Sequence, residues 1–307
     1  MVDEAAEAES ARPGLGLSRA WQGMDLPAIR RDLVARLLDA GIEEAEIEAR
    51  HLLSHVLAPA SLAAALADPA LSSWQKITRL ADLATARLSR KPLSQILGSQ
   101  PFWTLELAVT PDVLTPRADT ETLVERVLAE GPGGEARILD LGTGSGAILL
   151  ALLAERAGWS GLGVDLSPAA LDVARRNAVR CGLDGRAAFR EARWGEGLED
   201  HGFDVLVSNP PYIVREVLAG LEPEVRDHEP ALALDGGEDG LDAYREIAAD
   251  LARLLRPGGL FAFEIGYDQG ASVSAIMRQA GGVDVTCCAD LGGNDRVVLG
   301  RMPGGNG

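Results

Sequence analysis

The sequence is poor in cysteine and histidine, which argues against two kinds of site. It contains three cysteines, Cys181, Cys287 and Cys288, with no C-x-x-C spacing among them. An odd number of cysteines, two of them adjacent, does not form a disulfide framework, and free thiols are typical of a reducing compartment. His51 and His55 lie four residues apart, but the segment HLLSH lacks the glutamate of a zincin motif. We therefore expect a cytoplasmic protein without a metal site.

Long apolar runs and a surplus of positive charge are also missing. No run of 18 apolar residues occurs, so no membrane-spanning helix is predicted. Residues 1–20 are polar, lack the apolar core of a signal peptide, and are expected to form a disordered tail. The 46 acidic residues outnumber 29 basic ones, which gives a formal net charge of −17. Such a surface repels phosphate backbones, although acidity can also serve solubility alone.

The remaining patterns divide the chain of 307 residues into about two domains. Helical periodicity in residues 21–92 predicts a small N-terminal domain, with Asp25 as a helix N-cap and Gly41 just after that helix. The alternating segment TLELAV and several prolines predict a β-hairpin linker in residues 93–117. In residues 118–307 strand and helix patterns alternate, which predicts a doubly wound, mostly parallel α/β sheet of seven strands. The expected strands are 137–141, 161–165, 186–190, 203–208, 259–265, 283–287 and 296–299, and further helices are expected at 43–57 and 72–90.

A glycine-rich turn follows the first predicted strand of the sheet, in RILDLGTGSGAILL. The turn consists of Gly142, Thr143, Gly144, Ser145 and Gly146. Glycines allow a sharp turn and a close approach of ligand to backbone, and Asp165, at the end of the next strand, is placed to bind ribose hydroxyls. The segment also fits the G-x-G-x-x-A pattern of dinucleotide folds. It predicts a nucleoside-bearing cofactor but leaves NAD and S-adenosylmethionine open, as well as a tight turn without ligand.

Trp194, in EARWGEG, comes just after the third predicted strand. This edge of an open α/β sheet borders the ligand crevice, where an indole ring can stack on an adenine. A tryptophan buried in the core is the alternative interpretation.

The segment FDVLVSNPPY at 203–212 indicates the chemistry. An apolar strand ends in Asn209, Pro210, Pro211 and Tyr212. The prolines fix the backbone and remove two N–H donors, so the side-chain carbonyl of Asn209 and the backbone carbonyl of Pro210 remain as acceptors for a planar NH2 group. Tyr212 can pack against that flat group. A proline-rich turn without function is the alternative, but a preceding hydrophobic strand and glycine loop disfavour it.

The combination of N-P-P-Y with D-x-G-x-G-x-G resembles the amino-methylating class I methyltransferases, which act on adenine, guanine or protein glutamine. Further segments resemble the HemK/PrmC-type peptide chain release factor methyltransferases. These are PLSQILGSQPFW at 92–103, LTPRADTE at 114–121, HEP at 228–230, DGGEDGLDAYR at 235–245 and DLGGNDRVVLG at 290–300. The resemblance implies a Rossmann-like methyltransferase domain, S-adenosylmethionine as cofactor, and methylation of the glutamine in the GGQ motif of release factors.

The resemblance also implies roles for individual residues. Residues 142–146, Asp165, Trp194 and Asn209 would bind the cofactor, and Asn209 to Tyr212 would bind the substrate glutamine. Of these, Asn209, Pro210 and Tyr212 would be catalytic.

Three residues outside these motifs are also expected at the substrate site by resemblance. They are Arg117 and Glu121, in the P-R-x-x-T-E element, and Glu229. For Arg117 and Glu121 a structural ion pair that closes the hairpin onto the sheet is the alternative. Two positions depart from the family pattern: Arg193 stands where an acidic residue is common, and His228 stands where an aromatic ring is expected.

Two other functions remain as alternatives. A nucleic-acid amino-methyltransferase would need a basic groove, whereas residues 216–242 contain nine acidic residues and one arginine. A cofactor-binding regulator without activity would not need the N-P-P-Y array. We expect a monomer that acts on a protein substrate and does not bind nucleic acid or membrane directly.

Overall fold

The structure of the protein, a computed structural model, describes residues 13–57 and 74–305. It divides into two compact units, with the boundary between Leu97 and Gly98. This boundary lies within the predicted linker.

The first unit is helical, as its periodicity predicts. The Asp25 side chain accepts a hydrogen bond from the N–H of Ala28 at 2.8 Å, so it caps the following helix, and Gly41 has a φ of +76° just after that helix. Leu33 and Leu37 are fully buried on the inner face of this helix. The helices are Leu15–Ala20, Leu26–Asp39, Ala45–Leu57, Trp74–Leu88 and Leu93–Leu97.

Two predicted boundaries in this part of the chain are wrong. The expected disordered tail ends too late, because Leu15–Ala20 is helical and Leu17 packs with the fully buried Trp21 in the helical core. Leu17 and Trp21 are four residues apart, a spacing that indicates a helix, but the segment around them is mostly polar and was therefore predicted to be disordered. Residues 1–12 of the expected tail lie outside the described residues. The linker begins with the short helix Leu93–Leu97 instead of a strand, and Ile96 donates its N–H to the carbonyl of Pro92 in its first turn.

The second unit begins with the predicted hairpin and continues into a seven-stranded sheet. The hairpin strands β1 and β2 pair antiparallel, and Phe102 and Leu107 from them are buried in the core on one face of the sheet. The order in the large sheet is β5-β4-β3-β6-β7-β9-β8, with only β9 antiparallel to its neighbours. The strands are β1 Ser99–Phe102, β2 Leu105–Ala108, β3 Ala136–Leu141, β4 Trp159–Asp165, β5 Ala187–Glu191, β6 Phe203–Ser208, β7 Leu255–Glu264, β8 Val283–Ala289 and β9 Asp295–Arg301.

The seven predicted strands are therefore confirmed, with small shifts at their ends. The largest shift is in β7, which begins at Leu255 instead of Gly259 and pairs with β6 through an irregularity in register near Phe203. Pro257 and Gly258 in this segment are the residues that discouraged a strand prediction.

Helices cover both faces of the sheet. In β3, Ile138 packs into the core on one face and Leu139 into the core on the other, because successive strand residues point to opposite sides. None of the helices in the described part of the chain is long and apolar enough to cross a bilayer. The helices of this unit are Glu121–Glu130, Ala147–Glu155, Pro168–Arg180, Pro223–Arg226, Asp242–Leu254 and Gly270–Gln279, and short 3₁₀ turns occur at Ala118–Thr120, Arg215–Gly220 and Ala231–Ala233.

The strand order places a crevice next to β3. From β3 the chain continues outward to β4 and β5, then returns to β6 on the other side of β3. Such a reversal leaves an opening at the carboxyl ends of the two central strands. Leu141 pairs in register with Ser208, so the residues that follow β3 and β6 leave the sheet side by side. The glycine loop and the N-P-P-Y segment are these residues.

Candidate active site

Two cavities open at this edge of the sheet. The first is about 520 Å³ in volume, within the ordinary range for a small-molecule site. The second is about 480 Å³ in volume. Asn209 and Arg117 line both cavities. Of the other residues predicted from the sequence, the first cavity is lined by Gly142, Thr143, Gly144, Ser145, Asp165, Trp194 and Pro211, and the second by Tyr212 and Glu229.

The glycine loop forms one wall of the first cavity. The N–H groups of Gly142 and Thr143 both donate to the carbonyl of Val164, which fixes the turn against β4. Gly144 has a φ of +54°, and a Cβ built on it would meet no atom within 4 Å. Gly142 has a φ of +70°, and its Cβ would approach the Trp194 ring at 3.5 Å. The loop is therefore open toward the cavity at Gly144 and bounded by the indole at Gly142.

Asp165 connects the end of β4 to this loop. Its Oδ2 accepts the N–H of Gly144 and its Oδ1 accepts the N–H of Ser167, both at 2.9 Å. Burial raises the pKa of its carboxyl above the ordinary value, although these backbone donors act in the opposite direction. Each carboxylate oxygen can accept a further hydrogen bond, so Asp165 can still bind ligand hydroxyls in the cavity.

Asp140 supports the loop from inside the sheet, and sequence reasoning gave it no role. Its side chain is fully buried, and its Oδ2 accepts the hydroxyl of Thr143 at 2.6 Å. Burial raises the pKa of Asp140 to about 7. The acid at the start of D-x-G-x-G-x-G was the available signal for this residue, and its place one residue before the strand end predicts burial.

Trp194, which adjoins Gly142 in the lining of the cavity, is held in place by Glu246. The indole Nε1–H donates to Glu246 at 2.8 Å, and Arg193 makes two hydrogen bonds to the same carboxylate, at 2.9 and 2.7 Å. These donors, Arg193 first, lower the pKa of Glu246. The ring is partly buried against the core and lines the cavity, and its contact with an adenine stays a prediction. The family pattern has an acidic residue at the position of Arg193, just before the tryptophan. In this chain the acidic group at that place is Glu246, from the helix Asp242–Leu254.

The N-P-P-Y segment leaves the sheet directly beside the glycine loop. The Ser208 hydroxyl donates to the carbonyl of Leu141 at 2.6 Å, which joins the ends of β6 and β3. Tyr212 is held at its backbone, where its carbonyl accepts the side-chain amide of Gln269 at 3.1 Å. Burial raises the pKa of Tyr212 to about 12, so its ring stays neutral. Pro210 is buried and does not line either cavity.

Arg117 and Glu121 do not form a pair with each other. Arg117 binds both carboxylate oxygens of Glu229, at 2.8 and 2.7 Å, and the Glu229 side chain is fully buried. Glu121 instead accepts the backbone N–H of Trp103, at the turn of the hairpin, at 2.7 Å. Glu121 therefore fastens the hairpin and lies outside the lining of both cavities, whereas Arg117 and Glu229 lie at the cavity walls.

Comparison with known proteins matches both parts of the chain. The family described as PrmC N-terminal domain matches residues 28–98, and the family described as Methyltransferase domain matches residues 133–279. The release factor glutamine methyltransferase of Caulobacter vibrioides is 51% identical over 86% of this chain and 92% of the relative. This chain belongs to the release factor glutamine methyltransferases. Members from Rhodospirillum rubrum and Cereibacter sphaeroides are 47% and 45% identical, over 87% and 89% of this chain and 82% and 97% of the relatives.

Membership in this family confirms the fold and the family predicted from the sequence. The structure adds two polar residues behind Asn209 that sequence reasoning missed. The Thr120 hydroxyl lies 3.4 Å from Nδ2 of Asn209, and Glu264 ends the neighbouring strand β7. Thr120 is part of LTPRADTE. Glu264 is the last residue of an apolar strand, so a search for polar residues at strand ends, which identified Asn209, also points to Glu264.

Proposed function

We propose that this protein transfers the methyl group of S-adenosylmethionine to the side-chain amide nitrogen of the glutamine in the GGQ motif of peptide chain release factors. The relatives are named for methylation of a release factor glutamine, and their similarity to this chain covers most of their length. The observation that carries the proposal is the position of Asn209, which follows β6 beside the glycine loop and lines both cavities. One cavity then holds the methyl donor and the other admits the glutamine.

The first cavity fits the donor by its size and its polar groups. The open backbone at Gly144 leaves room for the ligand, and Asp165 supplies acceptors for ribose hydroxyls. Trp194, held by Glu246, offers an indole ring to the adenine. When bound, S-adenosylmethionine supplies an electrophilic methyl group on a positively charged sulfur.

The residues of N-P-P-Y orient the acceptor. An amide nitrogen is a poor nucleophile because its lone pair is delocalised, so its position and the charge around it must favour the transfer. We assign Oδ1 of Asn209, which lines both cavities, as acceptor for one of its two hydrogens, which stabilises positive charge as it grows on the nitrogen. The carbonyl of Pro210, which lies outside both linings, is assigned to the other hydrogen on the family resemblance alone. The neutral ring of Tyr212 packs on the flat amide. The amide cation that would result carries the new methyl group and both original hydrogens, so it is strongly acidic and loses one hydrogen to water as a proton, with S-adenosylhomocysteine as the other product.

Methylation of a nucleic-acid base by the same array is the second candidate, and the charges around the cavities disfavour it. Three arginines line the first cavity, and each is paired with a carboxylate: Arg117 with Glu229, Arg193 with Glu246, and Arg215 with Asp235. Paired arginines in an acidic surround give little attraction for a phosphate backbone.

A transfer assay with radiolabelled donor on release factor, DNA and ribosomal RNA tests the proposal. We expect labelling of release factor alone. Asn209→Ala should lower kcat by roughly 10²–10³, the usual cost of losing one preorganised electrostatic contact. The matched control is Asn294→Ala, the same change in an exposed turn outside both cavities. Near-full turnover by Asn209→Ala would show that the proposed mechanism is wrong, and labelling of DNA or RNA alone would overturn the substrate assignment.

A further inference from the structure

The side-chain amide of Asn209 has a buried polar neighbour, Thr120. Its Nδ2 lies 3.4 Å from Oγ1 of Thr120 and donates to it. Thr120 ends the 3₁₀ turn Ala118–Thr120 and is 4% exposed. An amide group has its donors on one atom and its acceptor on the other. With Nδ2 directed to Thr120, Oδ1 is directed away from Thr120 and remains available as an acceptor.

Glu264 is a second buried polar neighbour of Asn209. The residue before it, Phe263, pairs in register with Ser208, so Glu264 leaves β7 next to Asn209. Glu264 is 2% exposed, and it lines the second cavity together with Asn209. Burial raises the pKa of Glu264 to about 7, an effect that the nearby hydroxyls of Thr120 and Tyr212 oppose, and its Oε2 has no hydrogen-bond partner among the described residues.

The arrangement of Asn209, Thr120 and Glu264 determines which group donates and which accepts in each hydrogen bond. A threonine hydroxyl can either donate to the amide oxygen or accept from the amide nitrogen of Asn209, and the two choices correspond to opposite flips of the amide. The buried carboxyl of Glu264, whose Oε2 has no partner among the described residues, needs a donor that the hydroxyl of Thr120 can supply. A hydroxyl that donates to Glu264 accepts from Asn209, and this selects a single flip.

We infer that Thr120 and Glu264 are positioning residues that fix the flip of the Asn209 amide and so direct Oδ1 toward the reacting amide nitrogen. The inference rests on the proposed function, because it concerns the orientation of the acceptor named there. It assigns no contact with substrate to either residue.

Thr120→Val tests the inference because valine has nearly the shape of threonine and lacks the hydroxyl. We expect kcat with release factor to fall roughly 10- to 100-fold, less than in Asn209→Ala because a fraction of the amides keeps the productive flip. KM should change little, and Thr120→Ser, which restores the hydroxyl, should recover most of the lost kcat. Glu264→Gln should lower kcat in the same direction, since a glutamine amide can also donate to Thr120. Thr286→Val, on an exposed part of β8 outside both cavities, is the matched control.

A readout independent of turnover is the side-chain NH2 signal of Asn209 in a ¹⁵N spectrum, identified by its loss in Asn209→Ala. In the wild type without added ligand, we expect slow exchange of these hydrogens. Exchange should be faster in Thr120→Val and Glu264→Gln and slow again in Thr120→Ser. Thermal melting of each variant verifies folding, and Glu264→Gln carries the test if Thr120→Val does not fold.

The outcomes separate the inference from the proposed function. Wild-type kcat in Thr120→Val and Glu264→Gln, with Asn209→Ala impaired, would overturn the inference and leave the proposed function standing. Equal losses in Thr120→Ser and Thr120→Val would also overturn it, since packing alone would then explain them. Failure of the wild type to label release factor would instead overturn the proposed function.

Discussion

Asp140 should make the folded protein less stable as the pH rises, and replacing it should remove this effect. Its fully buried carboxyl has a pKa of about 7, raised from 3.8 mainly because burial disfavours the charged form. The folded state therefore binds a proton more tightly at this site than the unfolded state does. The stability that Asp140 contributes is fully present below pH 3.8 and is lost as the pH rises through 7.

The size of the effect follows from the shift. A change from 3.8 to about 7 corresponds to roughly 4 kcal/mol between the acid and alkaline limits, at about 1.4 kcal/mol for each pKa unit. About 3 kcal/mol of this falls between pH 5 and pH 8. Asp140→Asn keeps an acceptor for the Thr143 hydroxyl and does not titrate. We therefore expect the unfolding free energy of the variant, minus that of the wild type, to increase by about 3 kcal/mol from pH 5 to pH 8.

Urea unfolding at pH 5, 6, 7 and 8 measures this difference, with amide hydrogen exchange of β3 as the probe of the sheet. Subtraction of the wild type at each pH cancels the titration of groups common to both proteins, including the buried Glu264, whose pKa is also raised to about 7. Asp184→Asn, in an exposed turn, controls for the loss of one negative charge. A difference that stays flat, or falls, between pH 5 and pH 8 would refute the reasoning.

Two further substitutions test the walls of the cavities. Asp165→Ala should weaken S-adenosylmethionine binding by on the order of 1.5–3 kcal/mol in calorimetry, through loss of charge-assisted hydroxyl contacts, and unchanged affinity would remove Asp165 from the cofactor site. Arg117→Met leaves the buried carboxylate of Glu229 without its partner and should lower the unfolding free energy by about 1–3 kcal/mol, less than for a fully buried pair because Arg117 is half exposed. Adding Glu229→Gln should recover part of that loss in a double-mutant cycle, whereas a higher KM without any loss of stability would identify Arg117 as a substrate ligand only.

Local patterns in the sequence were sufficient to predict the sheet and the edge at which its two motifs meet. An apolar strand that runs into Gly142, and another that runs into Asn209, need no knowledge of distant contacts to be recognised. Because the carboxyl ends of parallel strands share one edge, the two motifs had to meet there. In the structure Leu141 pairs in register with Ser208, so the residues that follow these two strands lie side by side. The same patterns failed for Leu15–Ala20, because Leu17 stands in a polar segment and its burial beside Trp21 depends on the tertiary packing of the helical core.

Only the tertiary structure decided which charged and polar groups are partners. Arg117 is paired with Glu229, 112 positions away, and not with the nearby Glu121, which fastens the hairpin. Glu246, 53 positions from Arg193, holds the indole of Trp194. These partners come from separate loops and helices, and the sequence of one segment does not indicate which residue of another segment it contacts. Periodicity encodes which face of a strand or helix is buried, whereas ion pairs and hydrogen bonds depend on the placement of whole elements, which the packing of the sheet determines.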